Sequence, residues 1–132
     1  MGKGFEDLDV YKEARTLRKR VFKLASLLPT HERNVLVSQM RRAALSTTNC
    51  IAEGHGSRSF RHNISYLYRS RGSVCELQDD ITACEDQGYF KKEHLADLRQ
   101  QTEVVLKLIN GYIRHLAKRQ AQPVPPDQQN QK

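Results

Sequence analysis

Glu53, Arg71 and Glu76 are the residues whose types and spacing could do chemistry, a carboxylate and a guanidinium on adjacent helical patterns near the same bundle end and a second carboxylate five residues further along. Carboxylates held beside another charge have shifted proton affinities, which serves general acid–base catalysis and structural ion pairing alike. No nucleophile or metal ligand stands beside them, so a structural polar cluster is the preferred reading and no catalytic residue is assigned. Glu53 falls in the last turn of a helix that Gly54 is expected to close, where the dipole is already negative and a cation is required. Arg71 is the expected partner. Breaking a buried pair costs ~3–5 kcal/mol, so Glu53→Ala is expected to destabilise the chain more than Arg114→Ala.

Other chemistries lack their residues. A carboxylate-bridged metal site in a helical bundle needs Glu-x-x-His on two helices, and this chain has none. His31, His55, His62, His94 and His115 fall mainly at turns and helix ends, without the HExxH spacing of a zinc protease. The segment Gly54 to Ser59 lacks the lysine-serine/threonine ending of a phosphate loop and follows a helix rather than a strand. No metal, no cofactor and no enzymatic activity are expected.

Four helical patterns must position these side chains. Val10, Ala14, Leu17, Val21, Leu24 and Leu28 alternate spacings of four and three and predict a helix from about Asp9 to Leu28, ended by Pro29. Thr30 is expected to cap the second helix, which turns Leu36, Met40, Ala43, Thr47 and Cys50 inward until Gly54 supplies a left-handed stop. The third begins after Ser59, buries Ile64, Leu67, Val74, Leu77, Ile81 and Cys84, and closes at Gly88. Its interior Gly72 costs ~1 kcal/mol relative to alanine, which predicts close contact with Ala43 and Ala44. The fourth runs from about Lys92 to Lys118 on Leu95, Leu98, Val105, Ile109, Tyr112 and Leu116, with Thr102 the polar member of the seam. Short connections make this an all-α, antiparallel up-and-down four-helix bundle over residues 1–119, followed by a disordered C-terminal tail over residues 120–132, where proline and glutamine replace periodicity.

The 132 residues suit one domain. No apolar run approaches the roughly 20 residues of a membrane span, and the N-terminus lacks a signal-peptide block, so a cytoplasmic location and no membrane partner are expected. The three cysteines form no CxxC pair and read as reduced thiols.

The chain resembles the bacterial four-helix-bundle family that includes the 23S rRNA intervening-sequence proteins and relatives of the accessory proteins of diversity-generating retroelements. The resemblance covers most of residues 5 to 115. It rests on FEDLDVYKEA at 5–14, QMRRAALS and IAEG within 39–54, RGSVCEL at 71–77, and Gly88-Tyr89. Where the family usually shows proline and asparagine shortly before IAEG, this chain has Thr48 and Cys50, with an asparagine at Asn49. The resemblance implies an up-and-down bundle, assembly into five-membered rings and no known catalysis. In the retroelement branch it also implies binding of a reverse transcriptase and nucleic acid, although this chain is closer to the general family.

Charge supplies the remaining functional signal. The formal net charge is +7, and antiparallel folding gathers Lys12, Arg15, Arg58, Arg61, Arg69, Arg114, Lys118 and Arg119 toward one bundle end. Such an end would bind RNA or DNA phosphates with little sequence preference. The equally plain reading is solvated faces and salt bridges between subunits. The expectation is a non-catalytic oligomeric scaffold or adaptor with a basic surface for nucleic acid. The alternative is a purely protein-binding module or structural ring.

Overall fold

The computed structural model describes residues 4–122 and contains four long helices, with no strand among those residues. A 3₁₀ turn, Phe5–Asp7, leads into α1 (Asp9–Ala25), followed by α2 (Ser38–Gly56), α3 (Phe60–Asp86) and α4 (Lys92–Ala121). Successive helices pair, α2 with α3 most extensively, and α1 also packs on α4, which closes the bundle. Arg99 near the start of α4 reaches Glu85 near the end of α3, and Arg119 near the end of α4 stands over Phe60 at the start of α3. The neighbours are therefore antiparallel. The expected tail lies almost wholly outside the described residues, although α4 continues to Ala121.

The seams form because apolar side chains recur at helical spacing. Ala14, Leu17, Val21, Met40, Ile51, Leu67, Val74, Leu77, Ile81, Leu95, Val105 and Ile109 have no exposed surface. At ~25 cal/mol per Å² of apolar area removed from water, this shared centre is the main force that assembles the helices. Small departures from the expected seams follow from helical drift, since 3.6 residues per turn does not keep pace with a strict four-three repeat. In α2 the inward position passes to Ile51, leaving Cys50 half-buried, and in α4 it passes to Ile113, leaving Tyr112 half-buried.

The connection from α1 to α2 is more elaborate than one capped helix start. Thr30 makes no capping bond, because it lies inside a 3₁₀ turn, Thr30–Glu32, whose N-cap position is held by Pro29. A π-helical turn, Arg33–Val37, follows and brings both Leu36 and Val37 into the core ahead of Met40. Ser59 does cap α3, accepting from the His62 amide at 3.3 Å, and Gly88 takes the left-handed conformation, φ +73°, just past the end of α3.

Neither of two glycines plays the role expected of it. Gly72 is exposed, and a side chain there would meet nothing within 4 Å, so the expected contact with Ala43 and Ala44 does not exist. Gly54 is not a left-handed stop. It is buried inside α2, where a Cβ would stand 2.7 Å from Asn63 Oδ1, 3.0 Å from Tyr66 Cβ and 3.2 Å from the Asn63 carbonyl. The left-handed residue that ends α2 is Arg58, φ 59°. Around Gly54 the α2–α3 interface is built from small side chains that bond across it. Ser70 Oγ donates to the Thr47 carbonyl at 2.7 Å, and Ser73 Oγ to Ser46 Oγ at 2.8 Å.

Candidate nucleic-acid interface

The helix phases decide where the expected polar residues point. Because Gly54 faces α3, Glu53 is rotated about 100° away onto the outer surface of α2 and is exposed. Arg71 lies on the side of α3 that meets α4, where its guanidinium donates to Asn110 Oδ1 at 3.0 Å and stands over the Tyr68 ring at 4.9 Å. Glu76 is exposed. The cluster of Glu53, Arg71 and Glu76 therefore does not form, and the greater sensitivity expected of Glu53→Ala loses its basis. Among the described residues the one Arg–carboxylate ion pair is Arg99 with Glu85 at 2.7 Å, at the opposite bundle end, where His31 Nε2 lies 4.0 Å from the Glu32 carboxylate.

Lys12, Arg15, Arg58, Arg61, Arg69, Arg114, Lys118 and Arg119 are all exposed. The fold splits them into two groups. Lys12 and Arg15 share the start of α1 with Glu6, Asp7, Asp9 and Glu13, so their field is largely cancelled. The others belong to the first half of α3, the turn before it and the second half of α4. Residues 54–75 and 104–122 contain no aspartate or glutamate. The same stretches add Arg71, Lys107, His55, His62 and His115. This face carries an excess of positive charge among the described residues, with Asp9 of α1 bordering Lys107, and the dipoles of the antiparallel α3 and α4 offset each other at this end.

Aromatic rings are interleaved with that charge. Arg119 stands over Phe60 at 5.7 Å, Arg69 over Tyr66 at 5.5 Å, and Tyr112 stacks on His115 at 6.4 Å. Tyr68 is 50% and Phe60 40% exposed, which leaves both able to offer ring surface to another planar group. Cation–π contact orders a guanidinium over a ring without neutralising it. Lysine and arginine for phosphates, beside aromatics for bases, are the elements of a single-stranded nucleic-acid groove. The sequence reading missed Arg71, assigned to an internal pair, and Lys107. The visible signal was the long run without an acid.

The second bundle end holds the shifted titratable groups. Asp80 on α3 buries its Oδ2 without a hydrogen-bond partner among the described residues. Burial, followed by Asp79 and Glu76, pushes its pKa from 3.8 up to about 6, while Arg42 pulls it down. Burial likewise pushes the Cys84 thiol up to about 11. Tyr89 donates to the Glu32 carboxylate, and that bond raises the phenol above its usual range. Folded Asp80 holds its proton more tightly than the unfolded chain does, so its contribution makes stability fall as pH rises between about 4 and 6. Asp80→Asn is expected to be more stable than the parent at pH 7 and to lose that advantage by pH 4. Urea unfolding at both values measures the difference, and a gap that does not narrow toward low pH refutes the assignment.

Among the described residues no three His, Cys, Asp or Glu side chains gather as a metal site, and no helix is long and apolar enough to cross a membrane. No curated protein matches the chain. The 23S rRNA-intervening sequence protein family matches residues 6–111, from the turn before α1 into the second half of α4. That span takes in most of the closed helical bundle described above, and the chain belongs to this family.

Proposed function

We propose that this protein is a non-catalytic, oligomeric adaptor that holds nucleic acid on the α3–α4 face. The observation that carries the reading is the coincidence of Arg58, Arg61, Arg69, Arg71, Lys107, Arg114, Lys118 and Arg119 in stretches without an acid, with Phe60 and Tyr68 exposed among them. Phosphates bind the charges with little sequence preference, and unstacked bases lie on the rings. The family's name points toward RNA inserted in 23S rRNA, so RNA is the first ligand to examine and DNA the second. Assembly into a ring of five, drawn from the resemblance, would repeat the face around an axis and convert weak contacts into avid ones. In a retroelement setting a reverse transcriptase would be a further partner.

Fluorescence anisotropy with labelled single-stranded RNA and DNA, read at low and high salt, tests this. Binding that is tight at low salt and weakens steeply as salt rises is the expected result. No binding to either strand at low salt would remove the nucleic-acid role and leave the protein-binding or structural ring. Sedimentation equilibrium tests the assembly separately, with a mass of five chains expected and a monomer counting against the ring.

A further inference from the structure

The α1–α2 connection carries a polar pocket that lies away from the α3–α4 face. It is a cavity of about 250 Å³ lined by Ala25, Leu28, Pro29 and Val37 together with the polar Thr30, Arg33 and Arg41. No carboxylate lines it. The nearest acid in the chain, Glu32, is engaged by the Tyr89 hydroxyl. Arg33 makes no hydrogen bond or ion pair with another described residue, and Arg41 only stands over the Phe22 ring at 5.7 Å. Ser26 also borders the cavity but gives its proton to the Lys23 carbonyl at 2.6 Å, so Thr30 supplies the uncommitted hydroxyl.

Two guanidinium forks and a hydroxyl lining one pocket suit a tetrahedral oxyanion better than a carboxylate, because they offer more donors than two oxygens can accept. The pocket also has an outlet. Arg33, Val37 and Arg41 border a second cavity of about 660 Å³ along the outer surface of α2, where Ser38 and Asn49 add donors, Arg42 is already bonded to Gln39 Oε1 at 2.9 Å, and Glu53 is the single acid of the lining. An anion seated between Arg33 and Arg41 could therefore belong to a longer chain of phosphates.

We infer that Thr30, Arg33 and Arg41 form a phosphate-binding site at the α1–α2 connection. Its ligand is a phosphoryl group, either free or in a nucleic-acid backbone that continues along α2. The site stands on its own geometry and does not depend on the α3–α4 face, since α2 and α4 are the diagonal pair of the bundle.

The test is an amide and arginine Nε chemical-shift titration of the full chain. Inorganic phosphate, a short single-stranded oligonucleotide and sodium acetate are added separately at matched ionic strength. The inference expects saturable shifts at Thr30, Arg33 and Arg41 with phosphate, with the oligonucleotide, or with both, and none with acetate. The free-phosphate arm identifies a small ligand, and the oligonucleotide arm alone identifies a backbone. An Arg33→Gln/Arg41→Gln variant, exposed at both positions and so expected to stay folded, should bind at least about tenfold more weakly, the loss of one or more charge-assisted bonds. Equal shifts with acetate, no saturable shift with either phosphate source, or unchanged binding in the folded variant would overturn the site. Shifts confined to α3 and α4 would overturn it too while supporting the other interface, so the two failures are distinguishable.

Discussion

Gly54→Ala is expected to destabilise the bundle by about 1–3 kcal/mol, whereas Gly72→Ala should stabilise it by up to about 1 kcal/mol. On helix propensity alone both changes would be favourable, since both glycines lie inside helices. Packing reverses the sign at one of them. At Gly54 the added methyl would meet Asn63 Oδ1 at 2.7 Å, which the side chain could yield, but also Tyr66 Cβ at 3.0 Å and the Asn63 carbonyl at 3.2 Å. Those last two are fixed to the backbone of α3, so relief requires α2 and α3 to separate. Separation would also stretch the 2.7 Å bond from Ser70 to the Thr47 carbonyl. At Gly72 the methyl meets nothing and simply removes backbone freedom from the unfolded chain. Urea denaturation of both variants measures the difference. A Gly54→Ala protein as stable as the parent would mean that the helices do not approach closely there.

The second large effect concerns binding. Arg61→Gln/Arg114→Gln/Lys118→Gln should weaken single-stranded nucleic-acid binding about ten- to a hundredfold at low salt, through the loss of three phosphate contacts. All three side chains are exposed, and none stands over a ring or forms an ion pair among the described residues, so the fold should be unaffected. Lys12→Gln/Arg15→Gln is the control, removing two charges where the first variant removes three. It removes charge from the same bundle end, but from a helix start that Glu6, Asp7, Asp9 and Glu13 already neutralise. Its affinity should change less than about threefold, because distant screened charges add little. Equal losses per charge removed in the two variants would mean that net charge, rather than the α3–α4 face, governs binding.

Much of this architecture was legible in the chain, because apolar periodicity reports directly on what must leave water. The seams of α1, α3 and α4, the Ser59 cap and the Gly88 stop are local or periodic features. The Glu53–Arg71 pair was not recoverable in the same way. It depended on Gly54 ending α2, and a glycine that permits a left-handed turn is the same residue as one that admits a neighbouring backbone. Only the opposing helix distinguishes them. Once Gly54 faces Asn63, the helical rotation that buries it sends Glu53 outward, and Arg71 turns to Asn110 instead.

The candidate interface was half legible for a related reason. Position along the bundle axis follows from the topology, so the basic end could be assembled from the sequence. Separating Lys12 and Arg15 from the rest requires knowing which acids share their surroundings. The Arg33 and Arg41 pocket was hidden further, because the 3₁₀ and π-helical turns that shape it have no distinctive composition. Thr30 looked like a cap and became part of a wall.

The most direct test of the nucleic-acid reading is the slope of log binding constant against log salt for single-stranded RNA, measured for the parent and for Arg61→Gln/Arg114→Gln/Lys118→Gln. Each phosphate contact adds about 0.7 to the magnitude of that slope. The α3–α4 face predicts a steep parental slope that becomes shallower by about 2 in the variant. A slope unchanged by the substitutions, or a parent that does not bind RNA even at low salt, would contradict it.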